Sequence, residues 1–237
     1  MATLLSAIRT QARRHIIEST ALFWSDDELL DILLNGARDM WGSIAELNEE
    51  HFLTIDVTNV SLAADGTSLT GVPSDTLRVH IIEPRDTTDA GTGRNITFVP
   101  REYNSSEFTA ARTSTAYDPT QGGTLYYCVT QAGAPVAAPT ILVAPSLSAA
   151  LNLRFAYIPT LSSSLTAASN NPIPGESDQA LINWTVAYAR AKEREDRSPD
   201  PAWLTAYQME KDKVLLRLTP RQDQEPTIVG ALFEREW

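Results

Sequence analysis

Leu151-Asn152-Leu153-Arg154-Phe155-Ala156-Tyr157 decides the class of fold. Side chains alternate between the two faces of a strand, so Leu151, Leu153, Phe155 and Tyr157 share one side. Just upstream, Ile141-Leu142-Val143-Ala144-Pro145 reads as a second strand, expected to pair with the first. Just downstream, Ile173-Pro174-Gly175-Glu176 opens a pattern of helical period that runs to Arg197. Its apolar stripe is Leu181, Trp184, Ala187, Tyr188 and Ala191. A period of two thus gives way to a period of 3.6, which marks the edge between a β-rich region and a helical one.

Upstream, the β-rich pattern extends back to Phe52. Leu77-Arg78-Val79-His80-Ile81-Ile82 alternates, with Leu77, Val79 and Ile81 expected on one face and His80 on the other. Further candidate strands are Leu53–Val60, Asn95–Val99, Leu125–Thr130 and Thr140–Val143. Gly, Pro, Asp and Ser clusters punctuate them: Asp65-Gly66, Gly71-Val72-Pro73, Asp89–Gly93, Gly122-Gly123 and Gly133-Ala134-Pro135. Leu161–Asn171, rich in Ser, Ala and Asn, reads as a loop.

Helices flank this region on both sides. Residues 3–18 place Leu4, Leu5, Ile8, Ala12 and Ile16 at helical spacing. Ser25-Asp26-Asp27-Glu28 is a capping box, in which the serine oxygen takes a backbone N–H three residues on and the glutamate reaches back. Leu29, Ile32, Leu33, Gly36, Ala37, Met40, Trp41 and Ile44 then form a broad apolar face ending near Leu47. The short link Ser19–Trp24 favours an antiparallel helix pair. Near the other end, Ser198-Pro199 breaks the helix begun at Pro174. Asp200 is an N-cap and Pro201 sits at the first helical position, where its missing N–H costs nothing. Trp203, Ala206, Tyr207, Val214 and Leu218 point this last helix inward, and Pro220 stops it. Beyond Pro220 a polar start leads to Ile228, Val229, Leu232, Phe233 and Trp237. Apolar residues on a short extension containing Pro and Gly have no local core to enter, so this segment reads as an arm that docks, on its own body or on a neighbour.

The 237 residues are enough for one large domain or two small ones. A net charge of −11 argues against a protein that grips nucleic acid through phosphates, which takes clustered Lys and Arg. It is compatible with a surface that DNA slides past. The single cysteine, Cys128, allows no internal disulfide and reads as a small buried residue. No apolar run reaches the length of a membrane helix. The Arg-containing start continues into ordinary helix and reads as mature structure rather than a leader.

No motif spells a reaction. There is no Gly-x-Ser-x-Gly elbow, phosphate loop, dinucleotide fingerprint or His-Glu-x-x-His. His15, His51 and His80 are far apart and lack spaced partners, so hydrogen bonding or solvent is a better reading than metal ligation. Asp26, Asp27 and Glu28 suit a helix start better than a Ca²⁺ or catalytic site. Glu49-Glu50-His51 reads as a solvated helix end. Trp24, Trp41, Trp184 and Trp203 read as core packing. The expectation is therefore a non-enzyme with no catalytic residue, cofactor or metal.

The order of these elements resembles the head-to-tail connector, or adaptor, proteins of tailed bacteriophages. The resemblance rests on Trp24-Ser25-Asp26-Asp27-Glu28-Leu29 with Ile32, Asn35, Gly36, Ala37 and Arg38 on the second helix. It continues through Tyr126-Tyr127, Ile141–Pro145 and Leu151–Tyr157 with Pro159 and Leu161. Ile173-Pro174-Gly175-Glu176, Ala180-Leu181-Ile182, Ala187–Ala191, Trp203 and Tyr207 complete it. It covers about two thirds of the chain. Residues 83–125 look like an enlarged, loop-rich insertion, and the tail beyond Pro220 is long; both are expected as outward decoration or as contacts particular to this virus.

The resemblance implies an α+β fold: a helical body from the N- and C-terminal helices, a central antiparallel β-rich region, and an extended C-terminal arm. Residues 1–50 would be a helical hairpin of the ring body, 51–171 the β-rich region, 172–218 the helices completing the body, and 219–237 the docking arm. It further implies a homo-oligomeric, dodecameric ring under the portal protein, linking capsid to a downstream tail or nozzle protein, with DNA crossing the lumen without specific binding. Ile228, Val229, Leu232, Phe233 and Trp237 would dock on the portal or a neighbouring subunit. The place of action would be the virion neck, after synthesis in the host cytoplasm and with no membrane step. The alternatives are a tail-completion or other β-rich tail protein, a carbohydrate-binding module, and a hydrolase whose triad is assembled only by folding.

Overall fold

The computed structural model describes residues 3–17, 23–85, 96–118, 122–130, 138–162, 164–192, 194 and 197–219. Two long helices open the chain: α1, Leu5–His15, and α2, Asp26–Leu47. The capping box at the start of α2 forms as its sequence dictates. Glu28 N–H donates to Ser25 Oγ at 3.1 Å, and Ser25 N–H donates to Glu28 Oε2 at 3.0 Å. α1 is shorter than its apolar spacing suggests. Leu4 leaves the expected inward face to form a β-bridge with Asn170, and Ile17 turns out at φ 60°.

Two further helices close the chain, α4 (Asp178–Ala191) and α5 (Pro201–Leu218); α3, Ser106–Arg112, lies between the two helical pairs. α4 packs against α1, α2 and α5. That central position explains why burial extends beyond its predicted stripe to Ala180, Ile182, Asn183, Thr185, Val186 and Ala189. It also ends sooner than the sequence suggests, at Ala191 rather than Arg197. Arg197 takes φ 51°, and Asp200 N–H reaches back to Ala187 O at 3.0 Å. This turn starts α5 against α4, with Asp200 Oδ1 capping Ala202 N–H at 3.0 Å.

Leu5, Ile8 and Ala12 of α1, Leu33, Ala37, Met40 and Ile44 of α2, Leu181 and Val186 of α4, and Tyr207 and Val214 of α5 share one apolar core. Gly36 is needed where α2 meets α4. A Cβ there would lie 2.6 Å from Cδ1 of Trp184, whose indole N–H donates to Ile32 O at 3.0 Å.

The strands are β1 (Thr54–Asp56), β2 (Ser61–Leu62), β3 (Leu69–Thr70), β4 (Thr76–Pro84), β5 (Ile96–Pro100), β6 (Gly123–Thr130), β7 (Thr140–Ala144) and β8 (Leu151–Pro159). β8 is the hub. It pairs antiparallel with β4 along one edge, and with β1 and then β2 along the other; β2 pairs on with β3. β5, β6 and β7 form a second sheet. The α+β class is as expected, and within its largely antiparallel β region the β5–β6 pair is parallel.

Ile141–Pro145 and Leu151–Tyr157 are not a strand pair, contrary to expectation: β7 pairs with β6, whereas β8 belongs to the other sheet. The intervening residues carry the chain across. Leu147 is fully buried, and its carbonyl accepts from Asp65 N–H at 2.6 Å while Ser146 O accepts from Tyr117 N–H at 2.7 Å. The sheets also touch through Val143 N–H donating to Thr67 O at 2.9 Å. Between them Leu62, Leu125, Ile141, Leu153, Phe155 and Tyr157 build a second core.

The expected inward set on β4 is also corrected. Val79 packs against the β core as expected, but Leu77 and Ile81 are exposed, and Ile82 is the buried residue. The ladder with β8 shifts between Thr76 and Arg78 and again between Val79 and Ile81. Each bulge reverses which residues face the core. Leu53–Val60 shrinks to the three residues of β1, because the Asp56 carboxylate accepts from Thr58 and Asn59 N–H at 2.8 and 3.0 Å and folds the chain into a turn. Nor is 83–125 merely loop-rich. Its described residues supply β5, the start of β6, and α3, capped by Ser105; they contribute Ile96 to the β core and Phe108 and Ala111 to a small satellite core.

Candidate docking surfaces

Docking requires rigid faces held in fixed relation, and several side chains provide this. Trp41 on α2 stacks on Phe52 in the turn leading to β1, ring centroids 3.6 Å apart. Its indole N–H donates to Pro159 O, at the end of β8, at 3.1 Å. The helical core and the β core are thereby joined. Arg13, buried on α1, donates to Trp24 O at 2.7 Å and to Asp26 Oδ1 at 2.8 Å, fixing the start of α2 against α1. Lys192 reaches Glu28 at 3.1 Å. The backbone N–H of Ser25, with Lys192 next in weight, pulls the Glu28 carboxyl down to about 2.

A polar group inside the bundle locks α5. The Tyr207 hydroxyl, on a residue with no exposed surface, donates to Asp39 Oδ2, and Lys211 Nζ joins the same oxygen at 2.6 Å. Burial works against the Asp39 charge, but Lys211 and Tyr207 outweigh it and hold the carboxyl below its ordinary value. Burial first, and then Asp39, pushes the Tyr207 phenol up.

On this frame, large apolar side chains are exposed in two places: singly among charged residues on α5, and as a row on the first sheet. On α5, Met209 and Leu216 are 59% and 76% exposed. They are seven residues apart, two turns along one side, and away from buried Tyr207 and Val214. On the sheet, Ile55 of β1 and Ile81 of β4 both lie opposite Ala156 of β8. Directly opposed residues point to one face, so the three form a row on the side away from Phe155 and Tyr157. Ile55 and Ile81 remain 43% and 42% exposed. An open groove of about 570 Å³ lies beside these sheets, lined by residues 100–103 and 127–130. Cys128 is buried there, its thiol pushed up by burial and by Glu102.

The apolar row on the sheet is not evident from the spacing of its residues in the sequence. On β4 the signal was present: Ile81-Ile82 puts two apolar residues in succession, which breaks a period of two and marks a bulge. The predicted docking residues Ile228, Val229, Leu232, Phe233 and Trp237 lie outside the described residues. Their root is placed, however. The Asn48 side chain at the end of α2 donates to Leu218 O at 3.0 Å, which holds the end of α5 beside the entrance to β1.

The histidines do not converge. His15 packs on Trp203, His51 on Phe52, and His80 lies on β4. Among the described residues no group of three or more His, Cys, Asp or Glu is arranged to hold a metal ion, and no helix is long and apolar enough to cross a membrane.

The chain matches the SU10 adaptor protein family over residues 2–230 and belongs to it; this is a family of phage head-to-tail adaptors. Among curated proteins no sequence matches the chain.

Proposed function

We propose that this adaptor forms a ring beneath the portal of the capsid and links it to a tail or nozzle component, at the virion neck. The observation that carries the reading is the extent of the family match, which takes in the helical body, the β region and the first part of the C-terminal segment. Residues 1–50 and 172–218 form the ring body, 51–171 the β-rich region, and 219–237 an arm that docks on the portal or a neighbouring subunit through Ile228, Val229, Leu232, Phe233 and Trp237. The exposed Met209–Leu216 side of α5 supports a contact between copies. Identical subunits joined by heterologous faces close into a ring when the rotation permits, here a dodecamer. The net charge of −11 supports a lumen through which DNA passes without adhesion. The work is structural and involves no chemical turnover.

Light scattering on the purified protein, alone and mixed with its virus's portal ring, tests this. A portal-bound complex carrying a ring of adaptor copies is expected. Failure to associate under any assembly condition would reassign the chain to a tail component away from the portal.

A further inference from the structure

We infer that the helical body and the β region are two rigid units that pivot about a joint at Leu53 and Thr160, and that the hydrogen bond from Trp41 is the latch that sets their angle. The two units share little. Each has its own core, and no buried residue belongs to both. Among the described elements, the main packing across the boundary is that of the turn Glu49–Phe52 against the end of β8. The ion pairs among the described residues each stay within one unit, as Arg13–Asp26 and Lys211–Asp39 do in the body and Arg154–Glu83 in the sheet. Units joined over so small an area move relative to one another unless something fixes them.

The joint has an axis. Within the described residues the chain passes between the units at two places. The first is Leu53, between Phe52, which packs on the helical core, and Thr54, which pairs with Tyr157 of β8. The second is Thr160, whose N–H donates to Asp75 O on the sheet side at 2.6 Å, while the next residue, Leu161, packs on the helical core. From there the loop belongs to the body: Ala167 O and Ser169 O accept from Ser6 and Leu5 N–H at 2.9 and 3.0 Å. Because Thr54 lies opposite Tyr157, the two passages adjoin, and two adjoining passages define a line about which the units turn. Hinges consist of a few such residues at the ends of elements.

The latch is the one directional contact across that line. Apart from a local bond of Thr54 Oγ to Phe52 O, the described side-chain hydrogen bond that crosses is Trp41 Nε1 to Pro159 O at 3.1 Å. Apolar packing is non-directional, whereas a hydrogen bond weakens steeply as it bends. The stack on Phe52 therefore positions the indole, and the bond fixes the angle. Closed, the latch keeps the faces of the two units in fixed relation; opened, it frees the β region to turn with no change inside either core. The inference concerns the isolated subunit and stands or falls apart from portal attachment.

Spin-label distance measurements on the full chain test it. In a Cys128→Ala background, labels at Asn152→Cys and Gln208→Cys span the joint. Gln11→Cys with Gln208→Cys reports on the body, and Thr109→Cys with Asn152→Cys on the β region; all four sites are exposed. When Trp41→Phe removes the donor, the distribution across the joint is expected to broaden, and both distributions within units to keep their width. A distribution across the joint as narrow as with Trp41 present would show that another contact fixes the angle, and would overturn the inference. Broadening within either unit as well would reveal one cooperative body and overturn it too. Phe52→Leu, which spares the donor, is expected to leave the distribution narrow; broadening equal to that of Trp41→Phe would take the latch away from the hydrogen bond.

Discussion

Trp41 and Pro159 are 118 positions apart, yet the indole of one donates to the carbonyl of the other at 3.1 Å. This bond, with the stack of Trp41 on Phe52, holds the helical body to the hub strand of the sheet. Trp41→Phe keeps most of the stack and removes the donor. An acceptor left without its partner in a partly buried site costs about 1–3 kcal/mol. Denaturant unfolding should show that loss; an unchanged midpoint would mean the bond does not couple the two cores.

Gly36→Ala should destabilise the protein, although alanine is the better helix former by about 1 kcal/mol. The added Cβ meets Trp184 at 2.6 Å and must displace the ring, with its bond to Ile32 O. Overpacking of this kind costs about 1–3 kcal/mol. Unfolding curves and tryptophan fluorescence check it together. A stabilised variant with unshifted emission would show that the helices separate without strain.

Tyr207→Phe preserves the ring's packing and removes its bond to Asp39. Hydrogen bonds to charged groups contribute about 1.5–3 kcal/mol, and a loss in that range is expected on unfolding. A loss near zero would mean that Lys211 alone satisfies the carboxylate.

Glu28 gives the protein an acid-sensitive helix start. Its carboxyl is pulled down to about 2 in the folded state, against 4.5 ordinarily. The unfolded chain therefore takes up the proton first as pH falls. The contribution of Glu28 is complete above about 4.5 and is lost between there and about 2. Melting temperature measured across that window should fall more steeply for the natural chain than for Glu28→Gln. Parallel curves would remove Glu28 from the account. Ser25→Ala should cost about 0.5–2 kcal/mol at neutral pH as a lost cap.

Removing residues 220–237 should leave the body folded, because both described cores are complete by Leu218, while portal attachment is lost. Circular dichroism and portal pull-down separate the two effects. Attachment by the truncated protein would assign the contact elsewhere.

The elements governed by local chemistry were legible in the sequence. The capping box at Ser25, the Asp200-Pro201 helix start and the inward set of Leu151, Leu153, Phe155 and Tyr157 each follow from residues within a few positions. What depends on distant partners was not. Ile141–Val143 and Leu151–Tyr157 are neighbours in sequence, but which sheet each joins is decided by β6 and by β4. The bulges in β4, which turn Leu77 and Ile81 outward, are features of its ladder with β8. The apolar row on the sheet was hidden for the same reason: it takes one residue from each of β1, β4 and β8.

The position of β8 also sets a timetable for the ribosome. β1, β2 and β4 all pair with a strand that comes after them, and the helical body waits for α4 and α5. Until Pro159 has been made, the first sheet has no centre; until α5 is out, Tyr207 has not reached Asp39. Synthesis at about 5–20 residues per second leaves these apolar strands unpartnered for several seconds. Crowding on a polysome would favour strand exchange between nascent chains, so the rate of translation and the host's chaperones bear directly on the yield of usable subunits.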